Sequence, residues 1–351
     1  MRLAIDARFG SIMGGLGTYT RGLVPGLIST LQNAHSIVLI VRSTEEQWLS
    51  ELRHENRCTI VEASQPYSMR EQIILPYLLH QYHIDLLLTL HPITPLLCPC
   101  ATIVTVHDTI LHRYRNGVSA FRHWVFRWMF ERSVRRSSSV ITISHATTND
   151  LLSEIPTLDR DRIAVVYPGA DEQYAPTQEI FINDEKPYVL YVGNAKEHKN
   201  VQTLIDACID LPLRLVLLTG GKEVSSLRMV KNNLRLEPSS SVPLQSLLKN
   251  AAALITATHA EGFCLPIIEA LRVGTPVIAS DLPVLQEVSG GCAHLIEPTI
   301  PAFRGALTTL LQESLEHDAD AGRRQAMKYT WARSVTAHAA TIRSLLEPWT
   351  N

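Results

Sequence analysis

Two glutamates stand eight residues apart in Glu261-Gly262-Phe263-Cys264-Leu265-Pro266-Ile267-Ile268-Glu269, with a glycine turn after the first and a helix start before the second. Carboxylates accept hydrogen bonds from hydroxyls, so Glu261 and Glu269 suit neutral polyols. A helix N-terminus carries roughly half a positive charge and several unpaired N–H groups, so the start near Leu265 suits an anion such as a diphosphate. Gly262 would let the backbone approach a ligand closely, and Pro266 fits the first helical turn, where a missing N–H does no harm. Glu269 falls about one turn inside. A diphosphate carrying a ribose and a hexose, a nucleotide-sugar, meets these demands together.

Three further stretches offer related chemistry. Gly10-Ser11-Ile12-Met13-Gly14-Gly15-Leu16-Gly17-Thr18-Tyr19 leads into a helical pattern, and glycines so spaced let backbone amides face an anion or a sugar. The same loop could serve a nicotinamide cofactor, but such a site wants an acidic residue ending the second strand, about 20 residues on. Val41-Arg42-Ser43-Thr44 supplies none, which disfavours an oxidoreductase. Thr105-Val106-His107-Asp108-Thr109 puts a histidine and an aspartate at the end of the fourth strand candidate. His107 could donate to a sugar hydroxyl and Asp108 could bond its ring or an acceptor hydroxyl; equally, the pair could cap the next segment. Tyr188-Val189-Leu190-Tyr191-Val192-Gly193-Asn194-Ala195-Lys196-Glu197-His198-Lys199-Asn200 reads as a strand, a glycine loop and a basic residue before a helix. There Lys199 would meet phosphate as a point charge and Asn200 would cap the helix. A second cation, if needed, would be Lys196 or Lys222.

Taken in order, these motifs resemble the large group-1 family of retaining glycosyltransferases with the GT-B fold. The resemblance runs from residue 1 to about 300 and is strongest between 188 and 298. Cys264 stands where the family usually has a second glycine. The resemblance implies two facing Rossmann-like domains with a cleft between them and a donor held mostly on the second. Lys199 would lie on the diphosphate beside Gly193 and Asn194. Glu261 would lie on the sugar with the backbone of Gly262, Phe263, Cys264 and Leu265, and Glu269 on the ribose. Gly14 and Gly15 would close over donor phosphate. His107 and Asp108, from the first domain, complete the expected catalytic set with Glu261. Retention at the anomeric carbon is also implied. No metal or cofactor is expected, since Lys199 and helix dipoles would help the departing diphosphate. The Val-Gly-Asn and His-Lys-Asn stretches and the Asp-Ala-Arg start look like bacterial mannosyltransferases of polysaccharide assembly. GDP-mannose is therefore the first expected donor and a UDP-hexose the second, with a glycan or lipid-linked glycan hydroxyl as acceptor. A noncatalytic nucleotide-sugar-binding protein is the alternative from another class, and no nucleic-acid partner is expected.

The elements that must position these residues alternate short apolar runs with longer helical patterns, the signature of parallel sheets with crossover helices. Strands are expected at Leu3–Asp6, Ile37–Val41, Asp85–Leu90, Thr102–His107, Val140–Ile143 and Ile163–Val166, then at Tyr188–Val192, Leu213–Thr219, Ala253–Thr256, Pro276–Ala279 and Ala293–Ile296. Residues 1–170 form the expected first domain, 171–187 a hinge rich in proline and polar residues, and 188–330 the donor domain. A long helical stretch from Arg323 to Leu346 contains Trp331, and the resemblance implies that 331–351 crosses back onto the first domain. Open α/β sheets bind ligands beyond the carboxyl ends of their strands, where every motif above falls.

At 351 residues the chain fits two domains, and 46% hydrophobic against 19% charged residues is a globular composition. A formal net charge of -2 gives no global attraction to nucleic acid. Six scattered cysteines have no zinc or thioredoxin spacing and read as free thiols of a reducing compartment. With no secretory leader and no long apolar run, the expected location is the cytosol. One segment complicates this: 113–136 holds seven arginines and one glutamate among Tyr114, Phe121, Trp124, Phe126, Trp128 and Phe130. Such a helix could lie on an anionic membrane surface, or its aromatics could face the core and its arginines water. The triplets Asp159-Arg160-Asp161 and Asp318-Ala319-Asp320 could hold a divalent ion, but their place in polar connections makes them expected caps.

Overall fold

The computed structural model describes residues 1–32, 35–54, 58–110, 119–170, 187–228, 234–237, 243–313 and 317–346. The chain forms two compact units, Met1–Gly169 with Thr330–Asn351, and Ala170–Tyr329. Of the expected hinge only residue 187 is described, and Arg113, Tyr114 and Arg115 fall outside the described residues.

The first unit runs β1 (Arg2–Asp6), α1 (Gly15–Leu31), β2 (Ser36–Val41), β3 (Cys58–Glu62), α2 (Glu71–Gln81), β4 (Leu86–Thr89), β5 (Ala101–Val106), α3 (Ala120–Arg136), β6 (Ser139–Thr142), α4 (His145–Glu154) and β7 (Ile163–Val165). Its seven strands are all parallel in the order β3-β2-β1-β4-β5-β6-β7. The second unit runs β8 (Tyr188–Val192), α5 (Val201–Ala207), β9 (Arg214–Leu218), β10 (Leu234–Glu237), α6 (Leu244–Asn250), β11 (Ala253–Thr256), α7 (Leu265–Val273), β12 (Val277–Ser280), α8 (Pro283–Ser289), β13 (His294–Ile296), α9 (Ile300–Glu313) and α10 (Ala319–Ala326). Six parallel strands lie in the order β10-β9-β8-β11-β12-β13.

Strands β4, β11 and β12 are buried at every position, as parallel strands covered on both faces must be. In each sheet the chain leaves two adjacent strands in opposite directions, at β1/β4 and at β8/β11. Those switch points open a crevice at the carboxyl ends of the strands, the usual ligand position of such sheets.

Two strands, β3 and β10, were not expected from the sequence, so the strand ending in Val106 is the fifth and not the fourth. The expected long tail helix is also two elements. The break at 327–330 carries the chain from the second unit to the first, and Thr330 starts the last helix, α11 (Trp331–Leu346), by accepting from the Arg333 N–H at 3.3 Å. Helix α11 packs on α1 over two glycines: a Cβ at Gly22 would fall 2.1 Å from the Trp331 ring, and one at Gly26 2.8 Å from Val335.

Candidate donor and sugar sites

In the second unit the expected residues converge at the β8/β11 switch point. The chain leaves β8 through Gly193, whose φ of 151° lies in a region open to glycine and whose missing Cβ leaves room for the Tyr191 hydroxyl. That hydroxyl donates to the Asn194 carbonyl at 2.6 Å, and the Asn194 side chain accepts from the Lys196 N–H at 3.2 Å, which sets the loop. A single 3-10 turn, Glu197–Lys199, follows. The turn is held to the β11 loop by Thr258, fully buried, whose hydroxyl lies 3.0 Å from the His198 carbonyl and 2.8 Å from that of Ala260. The His259 N–H donates to the same His198 carbonyl at 2.7 Å. Nothing in the sequence pattern singled out Thr258; a buried hydroxyl directly after an apolar strand is the signal that could have.

This strap brings Lys199 onto Glu261. The ammonium donates to Glu261 Oε1, with the side chains only 17% and 10% exposed. Burial, then Lys199 and Lys196, pushes His198 down to about 4, so the imidazole stays neutral beside them. Lys196 is exposed, and the Lys222 side chain lies outside what is described. Asn200 does not cap α5 with its side chain. It sits in the left-handed region at φ 51°, and its amide is spent on the Pro298 carbonyl at 3.1 Å and the Thr203 hydroxyl at 2.8 Å.

The Glu261 loop ends at Cys264, which precedes α7 with φ 74° and ψ 67°. No side chain caps α7 and no acidic residue lies in its first turn, so its positive end stays open to an anion. Burial, then Glu261, holds the Cys264 thiol well above its ordinary range; Lys199 and Glu269 also act on it, which puts all four side chains in one neighbourhood. Gly262 is buried, Leu265 is half-buried and Pro266 occupies the first turn, as the spacing required. Phe263 is different: 3% exposed and edge-on to Tyr329 at 5.3 Å, its ring belongs to the core and only its backbone can meet a ligand.

In the first unit, Gly14 and Gly15 are exposed at the start of α1, and open space surrounds the Cβ position of both. Gly14 takes φ 104°, and α1, like α7, has neither a side-chain cap nor an acid in its first turn. His107 follows β5 with its ring edge-on to Tyr19 of α1 at 4.7 Å. Its Nε2 lies 2.9 Å from the Leu90 carbonyl, which can only accept, so Nε2 carries the proton and Nδ1 is left as an acceptor. Burial pushes this histidine down to about 4. In this tautomer Nδ1 can accept but not donate, so the expected role of His107 as a hydrogen-bond donor does not fit the geometry. Asp108 Oδ1 accepts from the Ile110 N–H at 2.8 Å and so caps its own turn.

A buried charge cluster at the β1/β4 switch point was missed. Arg8 donates to both oxygens of Asp6, at 2.8 and 2.6 Å, and to Glu71 at 2.5 Å, while His91 Nε2 donates to Asp6 at 2.9 Å. Asp6, Glu71 and His91 bring donor atoms within 4.8 Å of one another, a spacing a metal could use, but the guanidinium already engages both carboxylates. Of the two acidic triplets, Asp159 accepts from the Asp161 N–H and Asp318 from those of Asp320 and Ala321, as turn caps.

Two Rossmann-like parallel sheets with polar loops at their carboxyl ends define the GT-B class of glycosyltransferases. Residues 176–326 match the family described as Glycosyl transferases group 1, and residues 13–174 match Glycosyltransferase Family 4. The chain belongs to this family of GT-B glycosyltransferases. It is 30% identical over 205 residues to the O-antigen chain mannosyltransferase RfbU of Salmonella typhimurium, covering 56% of each chain. It is 28% identical over 268 residues to an MMP alpha-(1->4)-mannosyltransferase of Mycolicibacterium hassiacum, covering 68% of this chain and 64% of that one. The chain thus spans between about half and two-thirds of the length of these curated relatives. In structure it is similar to a sucrose-phosphate synthase from Thermosynechococcus elongatus, with a TM-score of 0.77 at 17% identity over 99% of this chain and 100% of that one. It is also similar to Anabaena HepE, solved with UDP and glucose, with a TM-score of 0.72 at 15% identity over 98% and 100%.

Proposed function

We propose that the protein is a retaining, metal-independent hexosyltransferase that moves mannose from GDP-mannose to a hydroxyl of a glycan or lipid-linked glycan in polysaccharide assembly. The observation that carries this reading is the Lys199–Glu261 pair beside the uncapped start of α7, at the switch point of the second sheet. The cation and the helix end suit a diphosphate, and the carboxylates of Glu261 and Glu269 suit the sugar and the ribose. His107 offers Nδ1 to a sugar hydroxyl, Asp108 lies beside it, and Gly14 and Gly15 offer backbone amides to phosphate.

In the reaction, the bond from the anomeric carbon to the diphosphate oxygen breaks and the acceptor oxygen forms its bond on the same face. The acceptor's proton passes to the departing diphosphate. Lys199 and the α7 dipole stabilise the charge that develops there. Asp159 and Asp318 are engaged as turn caps, which favours this cation over an acid-held metal. Mannose is supported by the two curated relatives, both mannosyltransferases.

Calorimetry with GDP, UDP and ADP, with and without chelator, on wild type and Lys199→Ala tests the donor site. One diphosphate should bind tightly, without regard to chelator, and lose affinity in the variant. Binding that chelator abolishes would overturn the metal-free reading. NMR of the product from GDP-mannose reads the anomeric configuration; inversion, or a trapped glycosyl-enzyme adduct, would overturn the mechanism.

A further inference from the structure

The arginine-rich helix α3 follows neither expected pattern alone. Phe130 and Val134 are buried, and Phe126 and Met129 pack against the same core cluster. Yet Phe121, Trp124 and Trp128 are 72%, 62% and 47% exposed. At about 100° per residue these three fall within one sector of the helix, opposite Phe130, with Arg132 and Arg135 in the same sector and Arg127 and Arg136 on its flanks. Helix α3 holds five arginines and one glutamate. An ordinary amphipathic helix has one apolar stripe; this one has two, and the outer one is framed by cations.

Helix α2 repeats the arrangement. Leu75 and Leu79 are buried, while Ile73 and Tyr77, on the opposite side, are 75% and 63% exposed. The two helices cover the same face of the sheet. Register puts Val38, Ala4, Leu87 and Thr102 in one row, and Val104 and Val106 follow on that face by the two-residue period of a strand. Leu75 and Leu79 pack with Ala4, Val38 and Leu87, and Phe130 and Val134 with Val104 and Val106. The outward sides of α2 and α3 therefore look the same way. The loop at Leu96 ties them together: its N–H donates to Gln72 of α2 at 2.9 Å and its carbonyl accepts from Arg132 of α3 at 2.8 Å. Leu97, next in that loop, is 78% exposed.

We infer that this surface, formed by Ile73, Tyr77, Leu97, Phe121, Trp124 and Trp128 within an arginine frame, docks the first unit on an anionic lipid bilayer. Aromatic rings belong at the headgroup level, and arginines beside them meet lipid phosphates. The surplus of cations on α3 selects an anionic bilayer over a neutral one. No helix among the described residues is long and apolar enough to cross a membrane, so the contact is made by side chains at the interface.

Co-sedimentation of the full chain with phosphatidylglycerol-containing and pure phosphatidylcholine vesicles is the test. Wild type should bind the anionic vesicles more tightly, and less so as salt is raised. Trp124→Ser with Trp128→Ser should reduce binding at least tenfold, Ile73→Ser with Tyr77→Ser should also weaken it, and Arg127→Gln should cost about fivefold. All these side chains are exposed, so urea midpoints should stay at the wild-type value and report that the variants fold. Equal binding to both vesicle types, no binding, or binding that the tryptophan pair leaves unchanged would overturn the proposal. So would a dimer that the same substitutions dissolve in a protein that ignores vesicles, since the surface would then join two copies.

Discussion

Lys199 is paired with Glu261 across the switch point between β8 and β11. A diphosphate that takes the ammonium competes with this carboxylate for it, and a carboxylate so released is available to sugar hydroxyls. The two substitutions should therefore diverge. Glu261→Gln removes a competitor for Lys199 and a negative charge, so affinity for the bare nucleoside diphosphate should rise several-fold while transfer falls by at least two orders of magnitude. Lys199→Ala should weaken the nucleoside diphosphate by about 10- to 100-fold, the 1.5–3 kcal/mol of a charge-assisted bond. Calorimetry of both variants decides: equal losses for the bare diphosphate would mean that Glu261 binds phosphate through Lys199 and is not its rival.

Cys264 holds a left-handed conformation that L residues with a Cβ adopt at a cost of about 1–2 kcal/mol. Glycine would remove that strain and add about 0.4–1 kcal/mol of unfolded-state entropy to be overcome. Cys264→Gly should therefore be neutral to stabilising by up to about 1 kcal/mol, and Cys264→Val should destabilise, since β-branching is worst at positive φ. Urea unfolding of the two variants reads both signs. Burial with Glu261 nearby also raises the thiol's pKa, so its alkylation at pH 8 should lag far behind that of a free cysteine.

Arg8 is fully buried with Asp6 and Glu71, and its guanidinium also donates to the Ser64 carbonyl at 2.8 Å. Removing one partner of a buried ion pair leaves the other charges uncompensated, at about 3–5 kcal/mol. Arg8→Met should thus cost that much stability, measured by denaturant midpoint. Adding Asp6→Asn and Glu71→Gln should restore part of it. A variant that loses under 1 kcal/mol would show that the cluster is hydrated or holds a cation in place of the guanidinium.

Much of this architecture was legible because a parallel strand buried on both faces is a run of apolar residues, as at Leu86–Thr89 and Val277–Ser280. The two missed strands are edges. Cys58–Glu62 is only partly buried and Leu234–Glu237 alternates apolar with charged residues, so neither carries that run. The placement of Lys199, Glu261 and Glu269 near one another was legible because the glycine loops and the helix start around them have distinctive local spacing. The strap at Thr258, the Arg8 cluster and the proton on His107 Nε2 were not, because each depends on partners distant in sequence: Arg8 on Glu71, Thr258 on His198 and His107 on Leu90. A charged residue just past a buried strand, such as Arg8 after Asp6, does announce that a partner must exist, though not which one.

His338 of α11 ties the last helix to the His107 neighbourhood. Its Nδ1 donates to the Ser334 carbonyl at 2.8 Å, which leaves Nε2 to accept from the Tyr19 hydroxyl at 2.8 Å, and Tyr19 lies against His107. The bond from Tyr19 needs the neutral ring, and burial, opposed by the bond to Ser334, pushes His338 from its ordinary 6.5 down to about 4. The unfolded chain therefore takes up a proton below pH 6.5 that the folded chain refuses until about pH 4. Stability from this group is complete above the upper value, is lost as pH falls between the two, and levels off below them. At pH 5 the loss for His338 alone is about 2 kcal/mol. His107 and His198 shift in the same direction and add to the slope, whereas the depressed Asp6 carboxyl acts only at more acidic pH. Urea midpoints at pH 7 and pH 5 should fall steeply for wild type and less so for His338→Gln, whose amide can accept from Tyr19 without titrating. A variant with the wild-type slope would show that His338 is protonated in the folded protein and that Tyr19 is held some other way.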